Sequence, residues 1–387
     1  MSKNFFFLLI IIVAISIRIP FLNREFVLEE ALNVKDARAI AQTGYPQVYA
    51  GEQAPQYIHL DRTPGLFFAL AVSFKMFSES EISARIVPLL FFLGQLLLIF
   101  YFTSRIFKYP YQKLISLLAG FFFAIHPYII QNSLHIHYDG AVFAFFSTWY
   151  LFLAYQKITS HQNRWQDHLP LATIFFFALF VKYDPALMML FIVIVFSLIK
   201  WIPFLKKLLI STTISSFLFF GLFYLYNAAF NHTEAFLLPF AWINQVISGK
   251  LIAFVTNTPS LSLWANNYYL LIRFLSWLTI PFILLAIYTF LIIFREKNLK
   301  KDPGILFLSL WFFTFCISYL ALGWSGDFPR YFAPAMTPLF MLITVVVIRD
   351  FTQFKMQITS KTITLVLILA SSIIFLEKKP WVLCLSS

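Results

Sequence analysis

The sequence predicts an all-α integral membrane protein of about 11 transmembrane helices, with a long first extracytoplasmic loop that carries surface helices. Three observations lead there. Apolar residues fill 60% of the 387 positions and charged residues only 12%, and the mean hydropathy of +0.79 is far above what a water-soluble domain carries. Apolar runs of roughly 15–20 residues recur along the chain, the length that crosses a hydrocarbon core of ~30 Å. The basic residues sit in short clusters between these runs and not in one domain. That distribution argues against nucleic acid as the reason for the net charge of +12 and matches cytoplasmic loops.

The first span is expected over Asn4–Ile19. Lys3 precedes it and no small-residue cleavage site follows before Arg24, so it reads as an uncleaved signal anchor with its N-terminus inside. Further spans are expected at Ile86–Phe102, Leu114–Tyr128, Ala141–Tyr155, Leu169–Val181 and Pro185–Ile199. The rest are Leu208–Tyr226, Leu275–Phe294, Ile305–Leu322, Pro334–Ile348 and Ile363–Leu376. The run Pro64–Phe77 has only 14 residues, a length that suits an interfacial or re-entrant segment, and it is assigned to the outer surface. This choice decides the topology. It places 16 Lys+Arg and four acids (Asp167, Glu296, Asp302, Asp350) inside and 13 of each sign outside, so the whole net charge is cytoplasmic. Making Pro64–Phe77 a span would invert every later loop, against the positive-inside rule. Residues 1–387 then form a single polytopic membrane domain, with 21–85 as its first extracytoplasmic loop, no internal repeat and no soluble C-terminal domain. Cys316 and Cys384 lie far apart and give neither a disulfide framework nor metal-ligand spacing.

Thirteen acids outside need a reason other than orientation, because Asp and Glu contribute little to it. In the first loop, Ala31, Val34, Ala37, Ile40 and Ala41 recur at helical spacing, which predicts an amphipathic helix on the membrane surface. Glu29 and Glu30 open it, where the helix dipole favours negative charge, so a structural role competes with a chemical one. Asp61 and Arg62 stand just before the interfacial run, whose first helical residue would be Pro64; a local ion pair is the alternative reading. At the outer mouth between the third and fourth spans lies His135-Ile-His137-Tyr138-Asp139. Its spacing resembles a metal site, but a histidine pair with no second cluster is more often structural, and no metal is expected. Lys182 and Asp184 fall between two short spans and are candidates to pair with each other. Arg330 follows a turn-rich loop; its planar fork suits a phosphate, with an ion pair to Asp327 as the alternative.

In this order the segments resemble the GT-C glycosyltransferases, within them the branch of protein O-mannosyltransferases and lipid A aminoarabinose transferases. The family's Asp-Glu after the first span appears as Glu29-Glu30, and its Glu-Lys-Pro-Pro as Asp61-Arg62-Thr63-Pro64. The similarity continues through Ser80-Glu81-Ile82-Ser83-Ala84-Arg85, His126-Pro127, Asp139, Val181-Lys182-Tyr183 and Pro329-Arg330-Tyr331, and covers about Ile15 to Pro338. The resemblance implies a GT-C-like fold in the cell (plasma) membrane. It also implies extracytoplasmic transfer of a sugar from a polyprenyl-phosphate donor to a lipid, glycan or protein acceptor. Glu29 would be the base, with Glu30 as its substitute and Asp139 assisting. Arg62, Arg330 and Lys182 would hold the donor phosphate, and Asp61, Tyr331 and His137 would support them. No cofactor is implied. The rival readings are a secondary transporter, which would show paired repeats and mid-membrane ionisable groups, and a polyprenyl-lipid flippase, which would need the cations but not the acids.

Overall fold

In the computed structural model the described residues are 3–46, 63–107, 111–237, 240, 272, 275–321 and 329–353, and every regular element among them is helical. The first expected span forms α1 (Lys3–Arg18). The surface helix expected from the first loop is α2 (Leu28–Thr43), with Glu29 and Glu30 in its first turn. It stops at Gly44, whose φ of +86° is the left-handed conformation that favours glycine and whose N–H donates to Ile40 O. The interfacial run forms α3 (Gly65–Phe77), which at 13 residues extends only about 20 Å. The next helix, α4 (Glu81–Ile106), starts where Ser80 Oγ accepts the Ser83 N–H at 3.1 Å.

The expected span Leu114–Tyr128 is divided into α5 (Gln112–Ile125) and α6 (Pro127–Asn132). Pro127 has no N–H to continue the ladder and disfavours helical geometry at His126, which takes φ −64° and ψ 128°. The entry to the next span is also irregular. A π-helical turn, Tyr138–Val142, precedes α7 (Phe143–Thr159), with Gly140 at φ −77° and ψ −128°. The remaining helices are α8 (Trp165–Val181), α9 (Tyr183–Lys200), α10 (Pro203–Ala229), α11 (Ile280–Arg295), α12 (Lys297–Lys301), α13 (Pro303–Ala321) and α14 (Ala333–Gln353). Of these, α4, α9, α10 and the Ala333–Asp350 part of α14 are long and apolar enough to cross a bilayer, and shorter apolar helices accompany them. The expected stretch Ile363–Leu376 lies outside the described residues.

Helix α14 is the centre of the bundle and packs against α5, α7, α11 and α13, whereas α10 stands at the rim and leans on α8. Away from water, polar side chains must satisfy one another. Gln95 on α4 donates to Thr337 on α14 (2.8 Å) and to Thr148 on α7 (3.2 Å), joining three helices through their buried faces. A smaller apolar cluster of Ile40, Tyr45, Phe67, Ala71 and Phe223 fastens α2 and α3 to the end of α10. The Tyr45 hydroxyl donates to Asn227 Oδ1 and the Tyr226 hydroxyl to Gly44 O, both at 2.7 Å.

The bundle therefore has one end carrying α2 and α3 and an opposite end carrying the basic turns. Cysteines introduced at Thr233 and at Asn298, both exposed and at opposite ends, test the orientation. In intact cells an impermeant thiol reagent should label position 233 and spare 298; the reverse pattern would invert the topology.

Candidate active site

The α2 end is organised around Glu30, whose side chain has no solvent exposure. Its Oε2 accepts from Arg85 Nη2 at 2.7 Å and from the Val27 N–H at 3.2 Å. Its Oε1 accepts from His135 Nδ1 at 3.0 Å and from the Ile136 N–H at 3.2 Å, with Arg24 Nη2 3.6 Å away. Burial alone would raise the carboxyl pKa. The His135 hydrogen bond and charge, then the charges of Arg85 and Arg24, outweigh it and hold the group down to about 2. Arg85 is equally buried and reaches further, donating to Glu25 O at 3.1 Å and to Arg24 O. One ion pair thus fixes both the entry to α2 and the start of α4.

The segment between α6 and the π-helical turn is clamped along its length. At Ile136, Glu30 takes the N–H and Asn33 Nδ2, one helical turn along α2, donates to the C=O at 2.8 Å. At Ser133, the hydroxyl accepts from Arg18 Nε at 2.6 Å. Arg18 is fully buried and, among the described residues, has no carboxylate partner. Its charge is met by the carbonyl ends of two helices, since Nη1 donates to Ala14 O of α1 (2.7 Å) and to Ala124 O of α5 (3.0 Å). The guanidinium also lies over the Phe92 ring, 3.8 Å from its centroid.

Held in this way, the segment delivers Asp139 to Lys182. The Lys182 ammonium is 2.6 Å from Asp139 Oδ1 and 3.9 Å from Asp184 Oδ1, and both Lys182 and Asp139 are buried. The nearer partner is thus the distant residue in sequence, not its neighbour. His137 Nδ1 is 3.0 Å from Asp139 Oδ2 and 3.3 Å from the Asp139 N–H. The second contact is the hydrogen bond, with Nδ1 accepting, so the His137 side chain caps the π-helical turn. Lys182 also faces the rings of Tyr138 (5.0 Å to the centroid) and Tyr331 (4.7 Å), so the site is lined by aromatic faces that tolerate a cation. The start of α3 comes to the same place. A Cβ at Gly65 would stand 2.4 Å from Phe180 O, so only glycine lets α3 begin this close to the end of α8, two residues before Lys182.

The structure therefore brings together Asp139, Lys182, His137 and Tyr331 from the residues the sequence nominated. Glu30 is adjacent through its bond to Ile136, and Glu29 is half-buried in the same first turn of α2. Asp61 and Arg62 lie outside the described residues. The Arg330 backbone belongs to a 3-10 turn, Pro329–Phe332, that carries Tyr331 to Lys182, and its side chain is outside the described set. Sequence reasoning missed Arg85, His135, Asn33 and Arg18 as members of this network. Arg85 and Arg18 did carry a signal, since an arginine at the edge of an apolar span has to find a partner.

No protein-family model matches the chain, and no curated protein matches it in sequence. Among solved structures it is similar to ArnT (lipid A aminoarabinose transferase) from Cupriavidus metallidurans. Against the apo form the TM-score is 0.59 at 12% identity, covering 88% of this chain and 59% of that one. Against the form bound to undecaprenyl phosphate it is 0.61 at 12% identity, covering 89% and 60%. An Archaeoglobus fulgidus oligosaccharyltransferase in complex with Zn and sulfate overlaps at a TM-score of 0.49 with 12% identity, over 90% of this chain and 50% of that one. The fold of the chain is thus the membrane fold seen in ArnT. The chain spans about three-fifths of that protein's length.

The Glu30 pairing makes a pH prediction. Its folded pKa lies below the ordinary 4.5, so its contribution is complete above about pH 4.5 and is lost as pH falls towards 2. Glu30→Gln should destabilise the protein by ~3 kcal/mol at neutral pH, as expected when one partner of a buried pair is removed. In thermal unfolding at stepped pH, the gap to the parent should close between pH 4.5 and 2. A gap that stays constant down to pH 2 rejects the ionised pairing.

Proposed function

We propose that this chain is a membrane glycosyltransferase that moves a sugar from a polyprenyl-phosphate donor to an acceptor nucleophile at the extracytoplasmic face of the plasma membrane. The observation that carries the reading is the buried Lys182–Asp139 pair at the α2 end of the bundle, in a fold shared with a protein solved with undecaprenyl phosphate. In the reaction the bond from the sugar C1 to the phosphate oxygen breaks and a bond from the acceptor atom to C1 forms. The acceptor's proton goes to a carboxylate, and polyprenyl phosphate leaves with the bonding electrons. The protein's share is positioning, a base, and positive charge where the leaving phosphate gains negative charge.

Glu29 is the base in this reading. Glu30 is unsuited, because both of its oxygens are engaged and a group held at a pKa of about 2 has little affinity for a proton. Asp139 lies between Lys182 and His137, holds Lys182 in place and, in this reading, orients the acceptor or the sugar hydroxyls. Lys182, Arg62 and Arg330 supply the positive charge. Arg62 immediately precedes Thr63 in sequence, and Arg330 immediately precedes Tyr331, whose ring faces Lys182. Tyr331 and Asp61 support this set, and no metal is assigned a role.

The test uses purified protein in lipid nanodiscs with a panel of polyprenyl-phosphate sugars, reading release of polyprenyl phosphate by mass spectrometry. Glu29→Gln should reduce turnover by ~10²-fold with donor binding retained. Lys182→Ala should reduce turnover by ~10²-fold or more, the scale of losing one pre-placed charge at the developing anion. Parent-like turnover in both variants removes these assignments. Donor movement across the bilayer with no release in the parent would favour a flippase.

A further inference from the structure

At the end of the bundle opposite α2, the α7–α8 turn and the α9–α10 turn form one unit. Asn163 is the joint. Its Nδ2 donates to Pro203 O at 3.0 Å, its Oδ1 is 2.9 Å from His168 Nε2, and its backbone carbonyl accepts from Lys207 Nζ. The His168 ring packs on Phe204 with centroids 4.5 Å apart, and the His161 ring meets Trp201 at 5.0 Å.

This platform concentrates one sign of charge. Arg164, Lys200 and Lys206 are exposed on it, and the Lys207 ammonium sits 5.6 Å from the centroid of the Trp165 ring. Asp167, the acid in these turns, is already committed to Lys157 (2.7 Å) and to the Arg164 N–H (2.8 Å). Immediately beside the cations the surface turns apolar. Leu169 (68% exposed), Ile202 (62%) and Ile199 (54%) continue along the flanks of the helices, with Trp165 (53%) at the boundary.

Cations at the rim, an indole at the boundary and aliphatic side chains beyond repeat the order of charge and polarity along a phospholipid, from phosphate through glycerol to acyl chain. A soluble phosphate or an acidic peptide would use the cations and leave the aliphatic flank unused. We propose that this platform is a binding site for an anionic phospholipid, with Arg164 and Lys206 reaching its phosphate and Trp165 at its glycerol backbone.

The experiment is native mass spectrometry of the full chain titrated with phosphatidylglycerol, with phosphatidylcholine of the same acyl chains, and with glycerol phosphate. The parent should retain phosphatidylglycerol in preference to phosphatidylcholine and should not retain glycerol phosphate. The double variant Arg164→Gln/Lys206→Gln should bind phosphatidylglycerol roughly 20-fold more weakly, the scale of removing two interfacial charges. Its thermal unfolding in phosphatidylcholine should match the parent. The control Lys297→Gln/Lys300→Gln removes the same charge from α12, at the same end of the bundle, and should leave binding unchanged. Equal retention of the two lipids by the parent, or equal loss in the two double variants, overturns the site in favour of diffuse charge. Retention of glycerol phosphate as tight as the lipid overturns the choice of a phospholipid.

Discussion

Glu30 is a carboxylate removed from water, and such a group survives only if charge and hydrogen bonds replace its hydration. Here the replacement comes from four donors on three segments: the entry to α2, the start of α4, and the side chain and backbone of residues 135 and 136. These donors fix direction where apolar contact sets only distance, and they act beside the Tyr45–Asn227, Arg18–Ser133 and Asn33–Ile136 bonds. Removing either partner leaves a buried charge uncompensated, so the pair acts as an all-or-none fastening of the loop to the membrane helices. Through Ile136 it also holds the segment that carries His137 and Asp139.

Arg18 and Gln95 show two other ways of satisfying buried polarity. Arg18 meets no acid among the described residues; the Ala14 carbonyl in the last turn of α1 and the Ala124 carbonyl at the end of α5 supply partial negative charge instead. The break at Pro127 makes this possible, because it ends α5 early and leaves Ala124 O beyond the reach of a continuing ladder. Gln95 and its threonine partners remain neutral and join helices without any charge to stabilise. The charged solutions therefore collect at the α2 end and the neutral one lies within the bundle, as the falling dielectric requires.

The helices were legible in the sequence because bilayer thickness and the energy of burying charge act on composition directly, residue by residue. The surface helix α2 and the short α3 were legible for the same reason, one from its periodicity and the other from a run too short to span. The interruptions were less so. A His-Pro step could be read as a boundary, but the π-helical turn at Tyr138–Val142 depends on how Gly140 packs against Asn132 O, which a Cβ would approach to 3.0 Å. The partners were least legible. Lys182 has Asp184 two residues away, and local reasoning pairs neighbours; the ammonium instead finds Asp139, 43 positions earlier, because the clamped segment brings it there. Asn33 carried no signal, and His135 stood out only for its spacing from His137, since the role of both exists only once α2 lies against that segment.

The adjacent acids Glu29 and Glu30 read as a redundant pair in the sequence, and helix geometry separates them. Successive residues on α2 point about 100° apart, so a helix laid against the 133–139 segment can bury one of two neighbours and leave the other near its edge. Glu30 takes the inward position and meets four donors, while Glu29 remains half-buried in the same turn. A carboxylate that fastens the structure must hold its charge at every working pH, and a low pKa serves it. A carboxylate that accepts a proton must be able to release it again, which a fastening group cannot do without loosening what it holds. Under the proposed function the two acids therefore divide the work, with Glu30 fastening the structure and Glu29 accepting the proton.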